Sequence, residues 1–154
     1  MAKPMSIYRL EDLSVNYWVR DIFSAFGQIN IVDEFPDETL VPPTVSIVEG
    51  KLSEEEFELG NRDGIRIRRW IIDVFALNKS QRKDFGYEVL QQAKNGINVY
   101  DYNEGFPPSA SPSLINHLTV ISRTFNPLPV KLGTNNEKLY YRGQLILMTK
   151  NDLV

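Results

Sequence analysis

Few side chains in this 154-residue sequence could do chemistry. His117 is the single histidine, and there is no cysteine. A serine nucleophile activated by His117 would need a G-x-S-x-G-type elbow, and none is present. One His without Cys supplies too few ligands for a zinc site. The acidic residues lack the regular oxygen-ligand spacing of a calcium loop. The glycines of GNRDG, residues 60–64, are not followed by the Lys-Ser/Thr of a phosphate-binding loop. Asp73 stands inside the apolar run IIDVFAL, where an unpaired carboxylate would cost on the order of several kcal/mol. Its expected role is structural, with an Arg or Tyr on a neighbouring strand. No catalytic, metal-ligating or cofactor-binding residue emerges. The expectation is a protein that is not an enzyme and carries no cofactor.

The remaining signal is charge. Glu54, Glu55, Glu56 and Glu58 form an acidic run. Arg62, Arg66, Arg68, Arg69, Lys79, Arg82 and Lys83 make the middle of the chain basic. Nucleic acid is the sharp reading of that patch, but only Trp70 is interleaved with the charges as a stacking platform. The chain as a whole carries a formal charge of −3, so direct nucleic-acid binding is disfavoured. The ordinary reading is a charged sheet face turned to solvent or to a partner.

The elements that must position these groups follow from periodicity. Residues 64–77 alternate, placing Ile65, Ile67, Ile71 and Phe75 on one face and Arg66, Arg68, Trp70, Ile72 and Val74 on the other. That period predicts a strand, half-exposed in its Arg-bearing part and buried on both faces in its second part. Asn78 or Ser80 then caps a helix running to Ala93, stopped at Asn95-Gly96. Before this unit, Val15, Val19, Ile22, Phe26 and Ile29 give a helical stripe over 13–30, with Ser14 as its cap and Gly27 weakening its end. Residues 31–43 read as a Pro-rich acidic loop and 44–49 as a strand. Later strands are expected at 97–102, 117–125 and 138–150, with Gly143 as a bulge. Ile71, Ile72, Val74 and Phe75 should pack on Val89, Leu90, Ile22 and Phe26. Two helices among runs of strands predict an α+β domain, an antiparallel or mixed β-sheet packed against two helices.

The composition is that of an ordinary soluble globular domain, 42% hydrophobic and 24% charged. A single domain over 1–154 is expected, with irregular arms at about 50–64, 103–113 and 126–137. No run is long and apolar enough to span a bilayer, so no membrane partner is expected.

The central stretch RIRRWIIDVFALNKSQRKDF resembles the tail terminator and neck (head-to-tail joining) proteins of tailed bacteriophages. The residues that carry the likeness are Arg68, Arg69, Trp70, Ile72, Asp73, Val74, Phe75 and Ala76, then Gln81, Arg82 and Asp84. GINVYDYNEGFPP, residues 96–108, is similar to a segment of phage structural proteins. The resemblance covers roughly 44–148 and implies a virion structural protein of the neck, assembled in the host cytoplasm. Such a protein closes into a homo-oligomeric ring, commonly a hexamer. It caps the tail tube, meets the head-closure or connector protein, and has the tail sheath as a further candidate neighbour. The alternative is a stand-alone α+β binding module for nucleic acid or a protein.

Two interface candidates follow. Phe106, flanked by Pro107 and Pro108, lies in a loop expected either to dock on a partner as a strip pre-ordered by proline or to pack on its own surface. The acidic arm of Glu54, Glu55, Glu56 and Glu58 could meet Arg66, Arg68 and Arg69 of a neighbouring subunit, since a head-to-tail ring needs two complementary surfaces. The same charges are close enough in sequence to pair within one chain as a hairpin.

Overall fold

The computed structural model describes residues 3–27, 29–32, 43–55, 64–103, 112–127 and 141–152. The first helix, α1, spans Ile7–Phe23 and runs into a short 3-10 turn at Ser24–Phe26. Strand β1 is Asn30–Val32, β2 is Thr44–Glu55 and β3 is Ile65–Ala76. Helix α2 covers Lys79–Ala93. Strands β4 (Ile97–Tyr100), β5 (Leu114–Pro127) and β6 (Tyr141–Asn151) complete the order. The strands form one six-stranded sheet, β1-β2-β3-β6-β5-β4, in which β1 and β2 are parallel and all other pairs antiparallel. The fold is α+β, with a mixed sheet and two helices.

Both helices lie on one face of the sheet. Trp70, Ile72, Val74 and Ala76 of β3 join Leu145 and Leu147 of β6, Val15 and Val19 of α1, and Phe85 and Val89 of α2 in a single core. Phe23, Phe26 and Phe85 meet edge-on where the two helices approach. Trp70 reaches this core with its indole N–H donating to Thr149 Oγ1 at 2.9 Å, which satisfies the one polar group of that side chain.

Several expectations need correction. α1 begins six residues earlier than its apolar stripe suggests, at Ile7 against the expected residue 13. Its cap is Ser6, whose side chain accepts the Arg9 N–H at 3.3 Å. Ser14 is buried in mid-helix instead. β1 was expected as loop, β2 continues through residues expected to be irregular, and β5 is longer at both ends than 117–125. Ile71 is half-buried and Phe75 fully buried, but both lie on the face away from the helices, Phe75 under the Arg142 guanidinium. Phe26 is 37% exposed. Residues 138–140 of the last expected strand lie outside the described residues. The α2 boundaries stand as expected: Asn78 Oδ1 accepts the Gln81 N–H at 2.8 Å, and Gly96 takes a left-handed φ of 74°.

Gly143 is not a bulge, for its register with Val74 and Pro127 is unbroken. It makes room. A Cβ there would sit 2.7 Å from the Phe125 ring, and one on Gly86 of α2 would sit 2.6 Å from the same ring. Phe125 is therefore held in a slot with a glycine on either side, and this seats α2 on β5 and β6. Gly86→Ala should lower stability by about 1–3 kcal/mol, as overpacking does, even though Ala is the better helix former. Urea denaturation would measure it, and an unchanged midpoint would show that the slot is loose. In the same assay Ile72→Ala should cost about 2–5 kcal/mol, and Ile71→Ala distinctly less, because only Ile72 faces the helices.

Candidate assembly surface

The arginines expected on a half-exposed face turn inward. Arg66 and Arg68 are each 5% exposed and lie beneath the first turns of α1. Arg66 Nη2 meets Glu11 Oε2 at 2.7 Å, and Arg68 Nη2 meets Asp12 Oδ1 at 2.6 Å. Arg68 Nη1 also donates to the Tyr8 carbonyl at 3.0 Å and approaches Glu11 Oε1 at 3.3 Å. Glu11 is completely buried. Its position on α1 sets it directly over the even-numbered face of β3, which is why two guanidiniums converge on it. Burial alone would pull the Arg66 guanidinium down, but hydrogen bonding and charge from Glu11, with Glu54 beyond, hold it above its usual value.

The acidic arm is likewise engaged within its own chain. Glu54 stands opposite Arg66 in the β2–β3 register, with 3.6 Å between Arg66 Nη1 and Glu54 Oε2, and accepts the Tyr8 hydroxyl at 3.2 Å. Burial, and then the bond to Glu54, raise the Tyr8 pKa. Of the two readings of these charges, the hairpin pairing is the one the structure contains for Glu54 and Arg66. Glu55 pairs with Ile65 through its backbone. Arg69 is exposed on the opposite face. Glu56, Glu58, Phe106, Pro107 and Pro108 lie outside the described residues. Asp73 has the expected kind of partner: Arg142 of β6 donates to it at 3.1 Å, beside Gln144. His117 sits on β5 with its Nδ1 2.8 Å from Asn98 Oδ1. Among the described residues no group of three or more His, Asp or Glu side chains could hold a metal ion. No described helix is long and apolar enough to cross a membrane.

Sheet edges are what sequence reasoning missed. Beside β2, β1 covers only Thr44 to Ser46, and residues 47–55 have no described strand on that side. At the other end of the sheet β4 covers only Leu114 to Leu118, and 119–127 of β5 have no described strand on that side. Each open edge carries one large exposed apolar side chain, Leu52 at 41% and Ile121 at 50%. Each also carries a bulge, between Glu49 and Leu52 and between Val120 and Ser122. Their charges differ: Glu49, Lys51 and Glu54 are exposed on the first edge, Arg123 on the second. The β4 edge is different again, because Ser14 of α1 accepts the Tyr100 N–H at 3.1 Å while donating to the Leu10 carbonyl at 2.7 Å. Between the open edges, the sheet face away from the helices presents a half-buried row of Val48, Ile71 and Ile146, in register across three strands.

No protein-family model matches this chain, and no curated protein matches it in sequence.

The residues that carry the phage-neck resemblance now have structural positions. Arg68, Trp70 and Asp73 are bound into the fold by Asp12, Thr149 and Arg142. The stretch therefore speaks to architecture more than to a surface.

Glu11→Ala should cost about 3–5 kcal/mol by strand-ing two buried guanidiniums, whereas Asp12→Ala, at a partly exposed site, should cost nearer 1 kcal/mol. Equal losses in thermal or urea melts would contradict the burial of Glu11. Reversing Arg66 and Arg68 to Glu should unfold the protein and not merely change its partners.

Proposed function

We propose that this chain is a structural subunit of a tailed-bacteriophage neck, a tail terminator that closes into a ring, caps the tail tube and meets the head connector. The observation that carries the ring is a pair of unlike edges at opposite sides of one sheet, each without a further strand among the described residues. An edge of unpaired backbone groups templates pairing with another chain. When the two edges differ, pairing is head-to-tail, and a rotation that closes makes a ring. The residues resembling phage neck proteins supply the identity of that ring, and a hexamer is its expected size. The mechanism is geometric, since the subunit works by presenting surfaces to the tube and connector.

A second reading, a stand-alone binding module, is favoured by the half-buried apolar row of Val48, Ile71 and Ile146 on the sheet face away from the helices, which would suit a docked partner.

Light scattering of the purified chain, alone and with assembled tail tubes, separates the two. A closed ring, or a ring that forms on tubes, is the expected result. A monomer indifferent to tubes would leave the binding module.

The edges themselves are tested by Leu52→Lys and Ile121→Lys, which place a charge on each open edge with little effect on folding. Each variant alone should fail to close a ring. Mixed, they should form a dimer through the one intact edge that each retains. If neither substitution changes assembly, or if the mixture stays monomeric, head-to-tail edge pairing is wrong.

A further inference from the structure

We infer that a cleft between α1, the C-terminal end of α2 and β4 is a binding site for a small organic cation, an alkylguanidinium or alkylammonium group. The site is independent of the ring reading. Its volume is about 250 Å³. That is several times the roughly 30 Å³ share of a water and below the roughly 300–1,000 Å³ of drug-sized pockets, so it suits one charged side chain or a small amine.

The lining selects the charge. Ser14, Tyr17, Trp18 and Asp21 follow one another at i, i+3, i+4 and i+7, so α1 contributes a single face. Across from it stands Tyr100 of β4, giving three aromatic rings around the space. Ring faces attract cations, best for Trp and more strongly where water is excluded. Asp21 is the one formally charged residue lining the cleft, and among the described residues its carboxylate makes no hydrogen bond or ion pair. Helix α2 ends at Ala93, just before the lining residues Asn95 and Gly96, so the negative end of its dipole adds to the same sign. Arg20 and Lys94, the chain neighbours of Asp21 and Asn95, do not line the cleft; Arg20 Nε donates to Asn16 and Lys94 Nζ to Gln91. Nothing in the lining would neutralise a phosphate or carboxylate.

The walls are also fixed in place. Gly96, at φ 74°, lies so close to β5 that a Cβ would strike the His117 ring and come within 2.6 Å of the Leu118 carbonyl. Asn98 is held by His117, and its amide donates to the Tyr100 hydroxyl at 3.4 Å. A cation would meet these groups without first having to order them, which favours affinity.

The test is titration of the ¹⁵N-labelled full chain, following the Asn95, Gly96 and Asn98 amides and the Trp18 indole. Agmatine represents a free small cation, N-acetyl-arginine amide a side chain on a partner, and butylurea a neutral analogue. Saturable shifts with a charged probe and none with butylurea are expected. Binding of both charged probes assigns the site to a protein side chain, and binding of agmatine alone to a free amine. Trp18→Leu should weaken binding about two- to fivefold, the size of a cation–π contact at a solvent-accessible site. Asp21→Asn, an exposed substitution that leaves the fold intact, should weaken it several-fold. The inference is overturned if butylurea binds as well as the cations, if neither cation shifts these resonances, or if Asp21→Asn has no effect.

Discussion

The structure depends on a carboxylate placed where water cannot reach it. Glu11 has no exposed surface, and the guanidiniums of Arg66 and Arg68 close on it from β3. Desolvating such groups offsets much of what their attraction returns, so their net contribution to stability is small. Their value is positional. A helix shifted or rotated on this sheet would strand a buried Glu or Arg, at a cost of several kcal/mol, whereas apolar side chains alone tolerate sliding far better. The ion pairs thus allow α1 one register over β3. Tyr8 and Arg66, and Arg68 and Trp70, extend the same register through cation–π contacts at 5.6 and 4.2 Å.

Fixing α1 decides which parts of the sheet remain available. One turn beyond Glu11, Ser14 reaches the Tyr100 N–H and covers the β4 edge. Two and three turns beyond it, Trp18 and Asp21 come to the cleft beside the end of α2. No equivalent cover lies over 47–55 or 119–127 among the described residues. One short edge is sealed by a helix, while two longer stretches have no described neighbour on their outer side. Exposed edges are usually blunted in monomers, and here the blunting is selective.

Periodicity revealed most of the architecture. The change from period two to helical spacing at Asn78 placed β3 and α2, because both bury continuous apolar sets with clear caps. It failed at α1 for a physical reason. The buried side of its first turns holds Leu10, Glu11 and Ser14, so a stripe defined by apolar residues starts too late. With the helix begun at residue 13, Glu11 and Asp12 fell outside it, and their arginine partners were left to look solvent-facing. Charged residues are so seldom fully buried that the alternation of Arg66 and Arg68 with isoleucines naturally read as an exposed face. Only the joint placement of α1 and β3 reverses that reading. β1 was missed because three residues beside a proline-rich stretch carry no period. The open edges were invisible because strand neighbours are a property of topology, and the cleft because its lining is drawn from three elements. Asp73 was legible, since a carboxylate in an apolar run demands a partner wherever the sheet supplies one.

The bulges bear on how open edges can be specific. A flat edge pairs with almost any extended chain, including unrelated or misfolded ones. A bulge interrupts the spacing of outward N–H and C=O groups and increases the local twist. Both open edges are interrupted, β2 after Glu49 and β5 after Val120, and each carries its exposed apolar residue, Leu52 or Ile121, at the irregularity. A regular strand laid along either edge would meet a break in the ladder and an unmatched apolar side chain. In the proposed ring, the bulge of one subunit would face that of the next, so that each edge rejects regular strands and accepts its own kind. Charge would act in the same direction at β5, where two copies would oppose Arg123 to itself, while the β2 edge is mixed in sign, with Lys51 between Glu49 and Glu54. Such exposed charges add little affinity, but like charges brought together disfavour that symmetric pairing. The sheet would then select head-to-tail growth by excluding its alternatives and need not bind any one of them tightly.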